Sequence, residues 1–330
     1  MFRFMDSPMP YPGIFTKAMV IFMKIEPSPV IIPFMASLMI LLTVIGCTGE
    51  QDVTFIDFSQ RVSVQQERPP VEENTLFRVA VGSMISPKET VGNYHQLLNY
   101  IAVRLGRRIQ LVQRKTYSEI NELIGLGKID LAFICSGPYV GGREKYGFEA
   151  LAMPRIRGSH FYQAYLIVNK DSNFHTLDDL SGKTFAFTDP ESNTGRLVPA
   201  YWLKQKGKSP ELFFGKTIYT YSHDSSIMAV AMSLVDGASV HGHIWEYYNK
   251  RNPIHTARTR IIRKSDLFGN PPVVVSRKMP EPLKENIRAL LLNMHQASEG
   301  KRILEGLMIE RFVLPREECY APILTMMTEK

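Results

Sequence analysis

From residue 76 onward, the chain alternates between short apolar runs and apolar positions at helical spacing. Residues 76–82 (LFRVAVG) form a β-branched apolar run ending in glycine, which predicts a buried strand. Apolar side chains then recur every three or four positions over residues 91–105, which predicts a helix. Further strands are predicted at residues 109–112, 130–135, 165–168, 183–187, 218–221, 238–240 and 273–275. Further helices are predicted at residues 117–127, from 136, and at 197–205, 227–235 and 282–308.

Two of these helices have a recognisable start. The segments SPKE at 86–89 and TYSE at 116–119 both match the capping box. In this motif a hydroxyl and a carboxylate each bond a free backbone N–H of the first turn. We therefore expect capped helices to begin at both places.

Strands that alternate with helices predict a mostly parallel sheet covered by helices, and two such blocks predict two α/β lobes. Ligands of such sheets bind beyond the carboxyl ends of the strands, where helices begin. Helix N-termini offer free N–H groups and a positive dipole end, which attract anions. Hydroxyl-bearing loops lie at these ends: Ser86, 116–118, 136–139, 192–195 and 222–223.

Ser and Thr are also the usual helix caps, and for Ser86 and Thr116 we favour that role over ligand binding. Three consecutive polar residues, Ser192, Asn193 and Thr194, precede Gly195 and exceed what one cap requires. The 192–194 loop is therefore interpreted as a ligand loop.

An uncharged apolar stretch spans residues 30–46, follows Lys24 and ends at Gly46-Cys47. A positive flank, an apolar core and a small terminal residue are typical of a secretory signal. The ending VIGC resembles the bacterial lipoprotein signal, in which the cysteine is lipidated and becomes the new N-terminus. An uncleaved membrane anchor is the alternative, although the stretch is short for a span of ~20 residues. Both interpretations place the rest of the chain outside the cytoplasm.

Residues 1–22 fit poorly before such a signal, so Met23 is the expected true start. We expect residues 1–46 to be the signal segment. Residues 47–75 are polar and lack apolar periodicity, and we expect them to form a flexible tether.

Composition narrows the classes of function. The 330 residues carry a formal charge of +7 without a long Lys/Arg block, so a nucleic-acid partner is not expected. The three cysteines, Cys47, Cys135 and Cys319, are too few for a disulfide scaffold, and a Cys135–Cys319 pair is left open. The chain lacks the GxSxG, Walker, HExxH and CxxC motifs, so we expect no enzyme activity, no cofactor and no metal.

Beyond these local patterns, the chain resembles the phosphate/phosphite/phosphonate substrate-binding proteins of bacterial ABC importers. The matching motifs keep their order over residues 76–325: VGSMISPKET, QRKTYSEINELI, GKIDLAFICSGPYV, GKTFAFTDPESNTGRLVPAYWL, YTYSHDSSIMAV and NPPVVV. The resemblance implies an α/β, two-lobed periplasmic-binding-protein fold of type II (a Venus flytrap) with two hinge strands. One lobe would take residues 76–163 and 270–330, and the other residues 164–269. The hinge strands would lie near 162–169 and 261–274.

The resemblance also implies the ligand-binding residues. Phosphonate-type oxygens would bind Ser192, Asn193 and Thr194 from one lobe. Tyr117 and Tyr139 would reach in from the other lobe, with Ser136 nearby. His223 matches a ligand-contacting histidine of the family and would add a charge-assisted donor if protonated.

One segment departs from the family pattern: VHGHIW at 240–245 stands where an acidic or hydroxyl side chain is expected. His241 would serve a cationic amine poorly, which disfavours aminoalkylphosphonates and favours phosphate, phosphite or a small alkylphosphonate. On a strand, His241 and His243 would share one face and form a pair in the cleft. A zinc site would need more ligands than this pair. Asp189, Asp224 and Asp266 are candidate acceptors for a phosphate P–OH group.

The resulting hypothesis is a receptor, lipid-anchored at Cys47, that captures a phosphorus oxyanion and delivers it to an ABC transporter permease. A sensor of the same fold, coupled to a membrane kinase or chemoreceptor, is the alternative. An enzyme on this fold is disfavoured by the signal segment.

Overall fold

A computed structural model describes residues 76–329. The signal segment, the tether and Cys47 lie outside the described residues. The strands are β1 (Leu76–Val81), β2 (Arg108–Val112), β3 (Leu131–Phe133), β4 (Phe148–Arg155), β5 (Phe161–Tyr162), β6 (Ala164–Asn169), β7 (Thr184–Phe187), β8 (Lys216–Tyr219), β9 (Gly237–His241), β10 (Thr259–Lys264), β11 (Phe268–Gly269), β12 (Val273–Ser276) and β13 (Arg311–Val313).

Helices alternate with these strands, as the periodicity predicts. They are α1 (Pro87–Leu105), α2 (Tyr117–Gly125), α3 (Ser136–Tyr146), α4 (Val198–Lys204), α5 (Pro210–Phe213), α6 (His223–Ala231), α7 (Gly242–Arg251), α8 (Glu281–Asn293), α9 (Ser298–Gly306) and α10 (Ala321–Thr328). A π-helical turn, Asn193–Leu197, leads directly into α4.

Two separate sheets form the two lobes. The first has the strand order β13-β4-β12-β3-β1-β2, and the second has the order β10-β6-β9-β7-β8. In the first sheet, side chains of consecutive strand residues such as Val273 and Val274 pack into clusters on opposite faces. Burial on both faces explains why the central strands are almost continuously apolar.

The expectation of mostly parallel sheets is wrong. Parallel pairing is confined to β1 with β2 and β3, and to β7 with β8 and β9. The strands β6 and β12 are antiparallel to both of their neighbours. Each of them follows a segment that crosses between the sheets, and periodicity along the chain carries no information about strand direction.

The crossing segments are the two-residue strands β5 and β11, which pair with each other antiparallel. The chain leaves the first sheet after β4, passes through β5 and enters the second sheet at β6. It leaves after β10, passes through β11 and returns to the first sheet at β12. A side chain at Gly269 would place Cβ 2.8 Å from Cβ of Cys319, so the crossing is tightly packed. Together these elements form the predicted two-lobed α/β fold with two crossing strands.

The sequence analysis did not predict β4 or β13, which pair at one edge of the first sheet. Pro154 lies within β4 opposite Phe312. Proline within a run argues against a strand, because it lacks the N–H that a sheet uses.

The two predicted capping boxes have different outcomes. Thr116 Oγ1 accepts from the N–H of Glu119, and the Glu119 carboxylate accepts from the N–H of Thr116 at 2.8 Å, so this box is confirmed. The box at Ser86 is wrong, because its side chain makes no cap bond. Instead, its N–H donates to Asp224 Oδ1 in the other lobe at 2.9 Å.

Among residues 76–329, no helix combines the length and the apolar character needed to cross a bilayer.

We predict that Thr116→Ala lowers the free energy of unfolding by about 1 kcal/mol, since it removes an N-cap hydroxyl that accepts a backbone bond. Ser86→Ala is the matched control and should cost clearly less, because that hydroxyl makes no cap bond. Urea unfolding monitored by circular dichroism measures both. Equal losses in the two variants would contradict the assignment.

Candidate functional site

The N-termini of three helices meet where the lobes face each other. Tyr117, Ser136 and His223 are the first residues of α2, α3 and α6, and all three are buried. Tyr117 and Ser136 belong to the first lobe, and His223 belongs to the second. Helix N-termini carry free N–H groups and the positive end of the dipole, so this region favours an anion.

The second lobe adds the loop before α4. Ser192 Oγ accepts from the N–H of Gly195 at 3.0 Å, which caps the π-helical turn. A Cβ at Gly195 would lie 1.7 Å from Thr188 Oγ1, so only glycine fits this position. Asn193 and Thr194 of this turn are fully buried. Such π-helical turns are frequent at functional sites.

Several buried polar atoms in this region have no hydrogen-bond partner within the described residues. They are Tyr117 Oη, Asn193 Oδ1, Thr194 Oγ1, His223 Nε2 and His241 Nδ1. They come from both lobes. Folded proteins pair nearly all buried polar groups, so such a cluster points to recognition of a polar ligand. We call these five residues the polar cluster.

The protonation of His223 follows from its contacts. Its Nδ1 accepts from the backbone N–H of His241 at 3.1 Å, so in the neutral ring the proton lies on Nε2. Burial lowers the pKa of His223 to about 3, and burial also lowers the pKa of His241 well below its ordinary value. The expected charge-assisted donor is therefore corrected to a neutral Nε2–H donor.

Tyr162 also lies beside the polar cluster. From the sequence it was expected only as part of a hinge strand. Its ring stacks on His241 with centroids 4.1 Å apart. Its hydroxyl accepts from Asn193 Nδ2 at 3.0 Å. A tyrosine in the crossing strand β5 thus contacts the 192–194 loop of the second lobe, and only its position at the crossing could have indicated this.

Two hydroxyls that were predicted to bind the ligand instead donate hydrogen bonds to groups of the first lobe and of its crossing strand. Tyr139 Oη donates to Glu317 Oε1 at 2.5 Å, and Ser136 Oγ donates to the carbonyl of Gly269 at 2.7 Å. The structure does not bring the Tyr139 hydroxyl into the polar cluster, because Glu317 holds it elsewhere. Ser136 lies at the cluster's edge, and its side chain helps to offset the rise that burial produces in the Tyr162 pKa.

The structure also shows where the three candidate acceptors for a P–OH group lie. Asp189 accepts from the N–H groups of Tyr117 at 3.1 Å and Glu191 at 2.8 Å. Asp224 accepts from the Ser86 N–H, and Asp266 lies in a different groove beside Trp202. Asp189 and Asp224 therefore join the lobes and do not contribute an unpartnered oxygen to the polar cluster.

The lobes are in close contact around this cluster. The N–H of His223 donates to the carbonyl of Met84 at 2.9 Å, across the lobes. A Cβ at Gly137 would lie 2.4 Å from the carbonyl oxygen of Glu191. Glycine at this position lets the start of α3 approach the opposite loop, as in the closed form of a hinged protein.

The expected strand placement of the histidine pair is wrong, although the rings of His241 and His243 do lie close together. Strand β9 ends at His241, and α7 begins at Gly242, so His243 is helical. His243 instead pairs its Nε2 with the carbonyl of Phe161 at 3.2 Å. The ring of His243 still lies 5.8 Å from the ring of His241, and the ring of His223 lies at the same centroid distance from His241.

Neither a metal site nor a disulfide is present in the part of the chain that the structure describes. No group of three His, Cys, Asp or Glu side chains there is arranged to hold a metal ion. Cys135 and Cys319 are buried free thiols, which answers the open question of their pairing.

The family model described as ABC transporter, phosphonate, periplasmic substrate-binding protein matches residues 79–320. The chain therefore belongs to this family, which consists of binding proteins and not enzymes. Its extracytoplasmic location follows from the family.

Individual relatives agree with this family. The phosphonates-binding periplasmic protein of Escherichia coli (strain K12) is 28% identical over 62% of this chain and 62% of its own length. The probable ABC transporter phosphite binding protein PhnD1 of Prochlorococcus marinus (strain MIT 9301) is 26% identical over 49% of this chain and 59% of its own length. The matches thus span about three fifths of these two relatives.

A solved structure shares the fold. The binding protein component of an ABC phosphonate transporter from Pseudomonas aeruginosa superposes with a TM-score of 0.73 and 23% identity. The superposition covers 76% of this chain and 85% of that chain. The two-lobed fold expected from the sequence is confirmed.

We predict that stability falls as the pH drops below about 6.5. There the unfolded chain protonates His223, whereas the folded protein keeps it neutral down to about pH 3. The unfolded state then binds more protons, which costs about 1.4 kcal/mol per pH unit for this group. In His223→Gln, the dependence of the unfolding free energy on pH between 7.5 and 4.5 should be shallower. His95→Gln, an exposed helix position, is the control, and parallel curves for all three proteins would refute the assignment.

Proposed function

We propose that this protein binds a phosphorus oxyanion between its lobes and delivers it to an ABC transporter permease. The observation that carries the proposal is the polar cluster: its buried atoms without hydrogen-bond partners come from both lobes, where these lobes contact each other. Tyr117 Oη, Thr194 Oγ1 and His223 Nε2–H are neutral hydrogen-bond donors, and three helix N-termini add positive potential. Neutral donors can hold an anion at a lower desolvation cost than buried cationic side chains.

The geometry suits a tetrahedral oxyanion. Such a group presents several oxygens in different directions, and the donors come from α2, the 192–194 loop and α6. The relatives' names state phosphonates and phosphite as their ligands, which supports the same ligand class here. Asn193 Oδ1 is a neutral acceptor available for a protonated oxygen.

Lobe closure supplies the mechanism. An open form would bind the anion on one lobe, and rotation about β5 and β11 would bring the other lobe's donors onto it. The bonds from Tyr117 N–H to Asp189 and from His223 N–H to Met84 form only when the lobes meet. Ligand binding thus favours the closed form, which is the form that a permease would distinguish from the open one.

We further propose that lipid at Cys47 anchors the protein at the extracytoplasmic face of a bacterial membrane. The apolar stretch 30–46 and the VIGC ending support this. The polar residues 48–74 provide a spacer that would let the lobes reach a permease.

Tyr117→Phe and Thr194→Val should each weaken binding of phosphite or methylphosphonate about 10- to 100-fold, because a hydrogen bond to a charged group contributes ~1.5–3 kcal/mol. Tyr139→Phe is the matched control and should change the affinity by less than about threefold, since Glu317 holds that hydroxyl. Calorimetry with phosphite, methylphosphonate, phosphate and sulfate measures this. The proposal fails if no phosphorus oxyanion binds, and the site assignment fails if Tyr139→Phe costs as much as Tyr117→Phe.

For the anchor, the full chain expressed in a bacterium with radiolabelled palmitate should become labelled and sediment with membranes. Cys47→Ser should lose the label, because the lipid acceptor is the thiol of that residue. Cys135→Ser, which changes a buried thiol of the folded body, should keep it. Label retained in Cys47→Ser would overturn the anchor.

A further inference from the structure

An apolar cavity of about 130 Å³ lies between the lobes beside the polar cluster. From the first lobe it is lined by strand residues such as Val81, Phe133 and Val273. From the second lobe it is covered by Ile244 and Tyr247 of α7. Both lobes are therefore needed to form the cavity, as they are needed to form the polar cluster.

Shared residues connect the cavity to the polar cluster. His241 belongs to the cluster and also lines the cavity. Met84 lines the cavity and packs with Tyr117 in one small apolar cluster. Gly82 is also a lining residue, and a Cβ there would lie 3.9 Å from Cδ1 of Tyr117. A ligand whose oxyanion is held by the polar cluster can therefore extend its other substituent into the cavity.

The side chains that line the cavity determine which substituent of the ligand it would accept. None of the lining residues is Asp, Glu, Lys or Arg. The hydroxyl of Tyr247 donates to Asn93 Oδ1 at 2.7 Å, and the buried hydroxyl of Tyr248 has no partner within the described residues but carries no charge. Burying an ammonium group here without a carboxylate would be costly. An engineered apolar cavity of about 150 Å³ binds benzene. The cavity here is slightly smaller and partly open, so it has room for a short alkyl group or for a phenyl ring that extends toward its mouth.

We infer that this protein selects organophosphonates that carry an uncharged apolar substituent, about the size of propyl to phenyl, over aminoalkylphosphonates. The inference rests on the proposed function. It extends that function by assigning the apolar cavity as the subsite for the substituent.

A ligand series tests the inference. Calorimetry on the purified protein should show affinity rising about fourfold for each methylene from methyl- to butylphosphonate, the gain expected for a buried methylene. Propylphosphonate and 2-aminoethylphosphonate have nearly the same shape, and the propyl compound should bind at least tenfold more tightly. Equal or reversed affinities for this pair would overturn the inference. If methylphosphonate and phosphite also fail to bind, the proposed function itself has failed.

A cavity-filling variant gives a second test. Ile244→Phe should weaken binding of butylphosphonate at least tenfold more than it weakens binding of phosphite, because the larger side chain fills the cavity. Ile218→Phe is the matched control, because Ile218 packs against the same apolar cluster of the second lobe but does not line the cavity. Equal loss for butylphosphonate and phosphite in Ile244→Phe would contradict the subsite. Should that variant not fold, the ligand series decides alone.

Discussion

The structure depends on the cost of burying polar atoms between two lobes. Tyr117 Oη, Thr194 Oγ1 and His223 Nε2 lie away from water without partners, and each such group costs about 1–3 kcal/mol. Direct bonds between the lobes, such as that from the Tyr117 N–H to Asp189, offset part of this cost. A bound oxyanion would offset the rest. In the proposed mechanism, closure would be favourable mainly when ligand is present and opening would release it, which is the behaviour required of a transport receptor.

Contact between the lobes forms the polar cluster and the apolar cavity side by side. His241 stands at their junction, since it stacks on Tyr162, lies beside His223 and lines the apolar cavity. Under the proposed function, the polar cluster would bind the oxyanion and the cavity would bind the group that the phosphorus carries. Tyr162 belongs to a crossing strand and contacts both His241 and Asn193, so one residue connects the crossing to the polar cluster. Under the proposed function, this connection would let a bound ligand influence the angle between the lobes.

Local sequence predicted the alternation of strands and helices and the two-lobed fold class, because periodicity reflects which face of each element is buried. The capping box at Thr116 was predictable because both partners lie within four residues. The box at Ser86 was not realised, because its N–H bonds Asp224 in the other lobe. Strand direction in β6 and β12 was also missed, since it follows from where the chain crosses between the sheets.

By itself, the sequence determined most of the elements, the helix start at Tyr117 and the polar 192–194 loop that precedes Gly195. The resemblance of its motifs indicated the family. Only the tertiary structure decided which hydroxyls remain available, for Glu317 holds Tyr139 from 178 positions away while Tyr162 reaches Asn193. It also decided the neutral state of His223, through burial and the His241 N–H. The physical reason is the separation along the chain of the residues that determine each feature. Helix starts and periodicity depend on near neighbours in the sequence. The direction and protonation of a buried polar group depend on atoms that are distant in the chain.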